Sequence, residues 1–414
     1  MKVIIIGAGL SGLSSALALR KYITNHPLEI KVYDKPDHSE SSQRRRKLGA
    51  GLGLQSNGSR VLDDLNTRLR EKVYNAGFPC DHFTWRTSSD FALGREYVDV
   101  LPISRPFLVD CLMQCLPEDM VVYKTISRVK ARDGARPVVH FEDGSPPEVA
   151  DLVIGADGVG SIVRKEMFAN GEAYDAQYSG MSAVGGVLDL AIPQHLIDDP
   201  SMIFVMGSGG NFGYTGLTQS DKNKLLFWSI FKTPLPKRGL DHDYDLLHEE
   251  LRERHRGWTD PLIDKCIEKA AIDNVYPVFV MPALPYWGKN GCVLVGDAAH
   301  ALPPRSGQGS SQAFEDGQTL ALLVAGYLER HDTTLAIDKS IASLYNLRHA
   351  RIDTIRTKAL AWADPDMPMP QWKLYALYAF IFIMVRVNNL TSHFHSIDKW
   401  DARVEVKKHF SCAQ

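Results

Sequence analysis

The chain has 414 residues, with 47 Lys or Arg against 49 Asp or Glu, so its formal net charge is −2. This length predicts two or three domains, and the mixture of 44% hydrophobic and 23% charged residues excludes disordered and fibrous classes. The balanced charge lacks the basic surface typical of nucleic-acid binding, and six Cys are too few for a disulfide scaffold.

The chain begins with a strand, a glycine-rich turn and a helix. Residues 2–6 (KVIII) are β-branched and apolar, which favours a buried parallel strand. Leucines spaced along the next segment predict a helix ending near Tyr22, and residues 29–33 (EIKVY) predict a second strand. Glycines interrupt the apolar run, so the segment resembles a βαβ unit more than a secretory signal, and we expect a cytoplasmic protein.

The turn after the first strand carries the spacing GxGxxG. Gly7 permits a tight turn, Gly9 allows close approach of a pyrophosphate, and Gly12 lets the helix pack on the strand. Asp34 ends the second strand, where a carboxylate accepts ribose hydroxyls. The pattern predicts an adenine dinucleotide site, and the alternative is a glycine-rich turn without a ligand. The remaining candidate contacts in this segment are Leu10, Ser11 and Lys35.

Two later segments also end a buried strand in an acidic residue. Residues 151–154 lead into Asp157-Gly158, followed by Ser161 and Arg164. An Asp-Gly pair alone indicates only a turn, and the spacing to Ser161 and Arg164 favours a ligand site instead. Residues 292–296 (CVLVG) lead into Gly296-Asp297, whose carboxylate is placed to bond ribityl hydroxyls.

A helix is predicted over 311–329, directly after this third segment. The segment directly before this helix contains Pro304 and the sequence Gly307-Gln308-Gly309-Ser310. Amides at such a helix start would face an electron-rich carbonyl and stabilise a reduced, anionic ring. His300 is interpreted as a packed, hydrogen-bonded histidine rather than a proton donor.

The order of these motifs over residues 7–316 resembles that of the single-component, FAD-dependent aromatic hydroxylases, the para-hydroxybenzoate hydroxylase-like flavoprotein monooxygenases. Arg105 resembles the arginine of an Arg-x-x-Leu helix that contacts the cofactor in that family. Tyr345, Arg348 and Arg351 resemble its Tyr/Arg helix. The resemblance implies bound FAD, NADPH or NADH as a transient reductant, O2 as co-substrate, and a C4a-hydroperoxyflavin that hydroxylates or epoxidises the substrate.

The resemblance also implies an α/β fold. We expect a Rossmann-like FAD-binding domain, a three-layer ββα arrangement with a parallel sheet, in 1–78, 100–174 and 275–360. An inserted, mostly antiparallel β-sheet substrate domain is expected in 79–99 and 175–274, where apolar residues alternate. Residues 361–414 form a C-terminal helical tail of unassigned role. Within the first domain, residues 121–125 and 138–141 are predicted to form a hairpin.

The inserted sheet is expected to wall the substrate cavity, with about half of its aromatic residues on one face. The candidate liners are Phe204, Met206, Phe212, Tyr214, Phe227 and Trp228. The candidate catalytic residues are Pro304, at the cavity floor, Tyr214, whose hydroxyl would reach the substrate, and Arg45, whose loop would touch NADPH or pyrophosphate. A solvated charge run is the alternative for Arg44–Arg46. No metal site is predicted.

The substrate is expected to be a neutral, sizeable aromatic or polycyclic metabolite of secondary-metabolism type. Gly180–Gly186 lacks the bulky aromatic and the Arg that many relatives carry there. Alternatives are a halogenase, which the absence of a Trp-x-Trp pair disfavours, a non-oxygenating FAD protein, or a cyclase or binding protein that uses FAD structurally. The oligomeric state is open.

One further segment concerns membranes. Residues 374–385 (LYALYAFIFIMV) are apolar but shorter than the ~20 residues of a spanning helix. A buried C-terminal helix is predicted, and a surface-seated or membrane-associated helix is the alternative.

Overall fold

The computed structural model describes residues 1–36, 51–131, 134–168, 172–235, 244–270, 275–361, 368–391 and 399–412. Within these residues the strands are β1 (Lys2–Ile6), β2 (Glu29–Asp34), β3 (Gly51–Gln55), β4 (Cys80–Thr87), β5 (Ala92–Ser104), β6 (Val121–Tyr123), β7 (Ile126–Lys130), β8 (Val138–Phe141), β9 (Glu148–Val149), β10 (Leu152–Gly155), β11 (Gln177–Asp189), β12 (Ser201–Gly207), β13 (Gly210–Gly216), β14 (Lys224–Lys232), β15 (Tyr276–Val280), β16 (Gly288–Lys289) and β17 (Cys292–Leu294).

The helices of the same residues are α1 (Leu10–Tyr22), α2 (Ser56–Leu65), α3 (Thr67–Ala76), α4 (Arg105–Met113), α5 (Ile162–Met167), α6 (Gln194–Asp198), α7 (Tyr244–Arg254), α8 (Pro261–Lys269), α9 (Asp297–His300), α10 (Gly309–Leu328), α11 (Thr333–Ala361), α12 (Gln371–Thr391) and α13 (Ala402–Cys412). Short 3-10 turns occur at Gly158–Gly160, Glu172–Tyr174 and Pro304–Ser306.

The first sheet has the strand order β16-β17-β10-β1-β2-β6, and its pairings are parallel except at the edge strand β16. After Lys2, every residue of the central strands β1 and β10 is buried and none is polar, as expected for strands with both faces covered. Helices α1 and α10 pack together on one side, where a Cβ on Gly317 would lie 2.8 Å from Ser15 Oγ. A small sheet of β7, β8 and β9 lies on α5. The predicted α/β class, with its three-layer parallel-sheet unit, is confirmed.

The predicted hairpin of 121–125 with 138–141 is wrong. Val121 pairs in parallel with Val32, so β6 completes the edge of the first sheet. The partner of β8 is instead β7, through Val129 and Val139. The β7 sequence ISRVK buries Ile126 and Val129 and exposes the two residues between them, and its register on β8 shifts at this point, so no regular alternation marked it as the partner of β8.

The second sheet has the order β15-β11-β14-β13-β12-β4-β5-β3. Its pairings are antiparallel except between β12 and β4. This confirms a separate, mostly antiparallel sheet. Residues 51–55, 100–104 and 276–280 are strands of it, so the sheet extends past the domain boundaries expected from the sequence.

The C-terminal helix α12 packs on β5 of the second sheet with one side only. Its inner residues Ile381 and Val385 are buried against Leu93 and Met206. Other apolar side chains of the helix are exposed, so the prediction of a buried helix is wrong. Because the helix is apolar on both sides, its sequence does not distinguish an inner from an outer face. Among the described residues no helix has the length and apolarity needed to cross a bilayer.

Candidate cofactor and substrate site

The three glycine motifs meet at the carboxyl edge of the first sheet, because β1, β10 and β17 are neighbours. A Cβ on Gly7, which has φ +105°, would lie 2.4 Å from the carbonyl oxygen of Ala156. A Cβ on Gly12 would lie 1.9 Å from the carbonyl oxygen of Gly7. Both overlaps are with backbone, so Gly7 is required for the first motif to pack on the second, and Gly12 is required for α1 to pack on the turn at Gly7.

Other glycines of the motifs face the cleft instead. A Cβ on Gly9, Gly158 or Gly309 would meet no protein atom within 4 Å. Gly9 and Gln308 precede α1 and α10, and neither helix start has a side-chain cap. The first amides of both helices are therefore available to an electron-rich group, as a pyrophosphate and a flavin carbonyl require.

Three carboxylates stand around this cleft. Asp34 Oδ2 accepts a hydrogen bond from the Ala8 amide at 3.2 Å, which ties the second strand to the first motif. Asp157 Oδ2 accepts from the Ile162 amide at 2.7 Å, whereas its buried Oδ1 has no hydrogen-bond partner among the described residues. Burial raises the pKa of Asp157, against hydrogen bonds from Ser161 and Ile162 that lower it.

Asp297 is the first residue of α9 and keeps solvent contact through the cleft, although protein surrounds it. That surrounding protein raises the pKa of Asp297, against the charges of His300 and Arg105 that lower it. The charge of Arg105 therefore acts on Asp297. A carboxylate in this setting is stabilised by hydroxyl donors, which the ribityl chain of FAD would supply.

Arg164 joins the second motif to the third. Its Nη1 donates to the Ala298 carbonyl at 3.0 Å, and its backbone amide donates to the Ser161 hydroxyl at 3.1 Å. The guanidinium is buried, with 1% of its residue surface exposed. The spacing from Asp157 to Ser161 and Arg164 thus has a structural reason, because these residues hold two strand ends together.

A buried charged network supports the third motif from behind. Arg348 donates to Asp316 Oδ1 at 2.9 Å, to Glu315, and to Gln312 Oε1 at 2.7 Å. Asp316 Oδ2 in turn accepts from the Gly296 amide at 2.9 Å and contacts His300 Nε2 at 2.6 Å. The network therefore fixes the backbone immediately before Asp297.

Two charged groups of this network, Asp316 and Arg348, have pKa values shifted from their ordinary values. Burial alone would raise the pKa of Asp316, but His300 and Arg348 outweigh it and bring the pKa to about 2. Burial alone would lower the pKa of Arg348, but Glu315 and Asp316 raise it. Both shifts favour the charged pair, as expected for buried ions that remain hydrogen-bonded.

The same network reaches the loop before α10. Asn57 Nδ2 donates to Glu315 Oε1 at 2.6 Å and to Gln308 Oε1 at 3.0 Å. Gln308 donates to Gln55, whose Nε2 donates to the Gly307 carbonyl at 3.1 Å. Gly307 has φ +60°, a left-handed conformation that suits glycine. The loop that contains the predicted residues Pro304 to Ser310 is thus held from two sides.

One face of the second sheet carries a group of half-buried rings that we call the aromatic wall, consisting of Phe83, Trp85, Phe204 and Trp228. Phe204 is central, with ring centroids 5.2 Å from Phe83, 4.9 Å from Trp85 and 5.3 Å from Trp228. Met202, on the same strand face, lies 3.7 Å from a Cβ built on Gly53 of β3. The wall therefore continues toward β3, which ends at Gln55 and is followed by Asn57.

Of the other candidate liners, Met206 lies on the same face under α12, whereas Phe212, Tyr214 and Phe227 lie on the opposite face. Phe212 and Phe227 stack there with centroids 5.8 Å apart, within the core covered by α7 and α8. Tyr214 is 1% exposed, and its hydroxyl donates to Asp260 Oδ2 at 2.6 Å. This position does not fit the predicted contact of Tyr214 with the substrate, because strand alternation turns it toward the helices. We assign Tyr214 a structural role.

The remaining predicted catalytic residues differ in what the structure describes. Pro304 is exposed in the 3-10 turn before Gly307, and its predicted role at the cavity floor stays a prediction. Arg45 lies outside the described residues, and its predicted contact with NADPH or pyrophosphate stays a prediction.

Sequence reasoning missed several residues of the site. Trp85 and Glu96 lie together, because Trp85 Nε1 donates to Glu96 Oε2 at 3.1 Å. Burial raises the pKa of Glu96, against hydrogen bonds from Trp85 and Asn388 that lower it. Glu96 shares its strand parity with Val98 and Val100, and that parity was the available signal of an inward position.

Comparison with known proteins agrees with this geometry. A family model described as FAD binding domain matches residues 125–338. The chain belongs to this family, as one of the FAD-dependent aromatic hydroxylases, and FAD is its cofactor. The orphaned Asp157 oxygen, the open glycines and the uncapped helix starts fit that cofactor.

Individual relatives are distant. The chain is 28% identical over 344 residues to 6-hydroxynicotinate 3-monooxygenase from Pseudomonas fluorescens, covering 77% of this chain and 81% of that protein. It is 26% identical over 378 residues to the chloroplastic zeaxanthin epoxidase of Nicotiana plumbaginifolia, covering 86% of this chain and 53% of that longer protein. Its fold is similar to that of Klebsiella pneumoniae HpxO complexed with FAD and uric acid, with a TM-score of 0.76, 22% identity and 92% of each chain covered.

Proposed function

We propose that this FAD-dependent monooxygenase uses NAD(P)H and O2 to hydroxylate or epoxidise a neutral aromatic or polycyclic metabolite of secondary-metabolism type. The observation that carries the proposal is the aromatic wall, four half-buried rings on the sheet face that continues to β3. Aromatic rings bind flat apolar molecules by burying apolar surface and by the electrostatic attraction between ring quadrupoles. Neither interaction requires a charge on the ligand.

The chain's own residues would bind and orient the cofactor. The amides at the start of α1 and of α10, with Asp34, Asp157 and Asp297, are the groups that would hold it. FAD, when bound, supplies the redox and oxygen chemistry. The first amides of α10 would favour negative charge on the ring, and the network behind Gly296 and Gly307 keeps both loops in position.

A neutral substrate is supported by the strand next to Trp228. Gly185 pairs with Trp228, and a Cβ on Gly185 would lie 3.0 Å from Trp228 Cα. A large side chain, such as an arginine that would bind a carboxylate, is therefore excluded at this position. The similarity to an epoxidase as well as to a hydroxylase supports leaving both outcomes open for this chain.

The proposal is tested with probes of different charge. Purified holoenzyme is mixed with NADPH, or with NADH, and oxidation of the nicotinamide is followed with 2-naphthol or with salicylate present. We expect the neutral probe to stimulate oxidation and isotope from 18O2 to enter its product. Stimulation by the carboxylate alone would contradict the neutral substrate, and a product without isotope would contradict oxygenation.

A pair of variants tests the wall itself. Phe204→Leu removes the central ring of the wall and should raise the KM for 2-naphthol by about tenfold, since a lost aromatic contact is worth about 1 kcal/mol or more. Phe279→Leu, a ring on β15 away from the wall, is the matched control and should leave KM unchanged. Equal effects of the two substitutions would contradict the assignment of the wall to substrate binding.

A further inference from the structure

The outer side of α12 forms an apolar surface. Trp372 is 69% exposed, Tyr375 61% and Ile383 60%. Their spacing of three and eight residues places them on one side of the helix, together with Ala376 and Ala379. Contiguous exposed apolar surface of this kind marks an interaction site more often than scattered single residues do.

The charges of the helix have one sign. Residues 371–391 include Lys373 and Arg386 but no Asp or Glu. The Arg386 guanidinium lies 3.3 Å from the centroid of the Phe382 ring and donates to the Leu93 carbonyl at 3.0 Å. Lys373 Nζ lies 5.8 Å from the centroid of the Trp372 ring, so a cation stands near each end of the apolar row. Cations that flank aromatic residues complement the anionic headgroups and the interfacial layer of a bilayer.

The helix is fixed to the protein by its other side. Tyr378 donates to the Met206 carbonyl at 2.7 Å, and Asn389 donates to the Arg95 carbonyl at 2.7 Å. Met206 lies two residues after Phe204 of the aromatic wall, on the same strand face. Trp85 of the wall also packs against the buried side of α12, so the helix is fixed beside the wall on the same sheet face, with its exposed side turned away from the sheet.

We infer that the outer side of α12 seats the enzyme on an anionic lipid bilayer, with the helix parallel to the membrane surface. The apolar side chains would enter the headgroup boundary while Lys373 and Arg386 contact lipid phosphates. This seat would bring the aromatic wall next to a phase in which apolar substrates concentrate. The inference rests on α12 and not on the FAD site.

Vesicle binding of the full-length holoenzyme tests the inference. We expect co-flotation with phosphatidylcholine vesicles that contain about 30% phosphatidylserine, and severalfold weaker binding to phosphatidylcholine alone. The variant Trp372→Ser/Tyr375→Ser/Ile383→Ser should lose at least about tenfold in binding. The control Tyr74→Ser/Leu335→Ser/Val404→Ser removes three side chains of 39%, 42% and 48% exposure elsewhere and should bind like the parent.

Fluorescence gives a second readout. Lipids brominated near the headgroup should quench part of the tryptophan emission, and Trp372→Phe should abolish that quenching. Absence of flotation, or equal loss in the control variant, would overturn the inference. So would a concentration-dependent dimer that is disrupted by the α12 substitutions while no vesicles are bound. FAD titration of the same variants should be unchanged, so failure of the membrane seat is distinguishable from failure of the proposed function.

Discussion

The two sheets of the molecule build their sites in different ways. At the first sheet, backbone atoms at neighbouring strand ends form the site, and the decisive residues are glycines and single carboxylates. At the second sheet, side chains of one face form the aromatic wall, and which residues belong to it depends on alternation, register and a helix more than 100 residues further along the chain. Backbone-built sites leave a local sequence pattern, whereas walls built from side chains do not.

The largest expected effect on stability comes from substituting a glycine whose Cβ would overlap backbone, in contrast to a glycine whose Cβ would meet no protein atom. Gly12→Val places side-chain carbon on the Gly7 carbonyl, so we expect a loss of about 4 kcal/mol or no folded protein. A Cβ at Gly9 meets no protein atom within 4 Å, so Gly9→Val should melt like the parent when both are free of FAD, while losing about 100-fold in FAD affinity. Thermal melts and FAD titration measure both. A stable Gly12→Val protein would refute the packing argument.

Removing the central cation of the buried network should have the next largest effect. Arg348→Met leaves Glu315 and Asp316 buried without their shared partner, which should cost about 3–5 kcal/mol in the free energy of unfolding. The control is Arg356→Met in the same helix, whose pair with the half-exposed Asp353 should cost less than about 1 kcal/mol. Similar denaturant midpoints for both variants would contradict the assigned role of the network.

The depressed pKa of Asp316 predicts an acid dependence. The pKa of Asp316 falls from 3.8 in the unfolded chain to about 2 in the folded protein. At pH values above 3.8, the ionised form therefore contributes about 2 kcal/mol to the free energy of unfolding. That contribution is lost as the pH falls through about 2. The stability difference between the parent and Asp316→Asn should therefore shrink on acidification in urea titrations. A difference independent of pH would argue against ionised Asp316.

The substitution Tyr214→Phe tests which face of the second sheet meets the substrate. Loss of the hydrogen bond to Asp260 should lower the free energy of unfolding by about 1 kcal/mol. Substrate KM and FAD affinity should not change, because the hydroxyl faces the helices. A raised KM with unchanged stability would restore the substrate contact expected from the sequence.

The smallest effect concerns Glu96 beside the wall. Its pKa is raised in the folded protein, so its stabilising contribution declines as the pH rises from the unfolded value of 4.5 through the folded one. Glu96→Gln keeps an acceptor for Trp85 and should remove that decline, at a change of less than about 1 kcal/mol near pH 5. A variant whose stability falls with pH as steeply as the parent's would exclude Glu96 as the titrating group.

These differences explain what the sequence could predict. The positions of Gly7, Gly12 and Asp34 can be predicted because spacing along one βαβ unit determines their geometry. The positions of Asp157 and Asp297 can be predicted for a related reason, since parallel strands deliver such residues to one edge. The contacts of these residues with FAD stay predictions. Tyr214 was misplaced because aromatic residues alternate along β13 and β14, and a single strand does not reveal which face meets the cleft.

Contacts between segments that are distant in the sequence were harder to predict. Arg348 was found only through resemblance to a family helix, and its partners Glu315 and Asp316 are on another helix. Glu96 depends on contacts with Trp85 and with Asn388, nearly 300 residues later. The burial of α12 depends on which side packs on β5, and a helix that is apolar all round carries no periodic signal for this.

The most direct test of the central claim is the absorption spectrum of the purified protein during anaerobic titration with NADPH. We expect stoichiometric FAD, bleaching of its absorption band by NADPH and return of the band on admission of O2. We also expect that Asp297→Ala, a change at the cleft that breaks no hydrogen bond assigned above, folds normally but lacks the flavin. A folded parent protein that takes up no FAD, or an Asp297→Ala variant that retains stoichiometric flavin, would contradict the central claim.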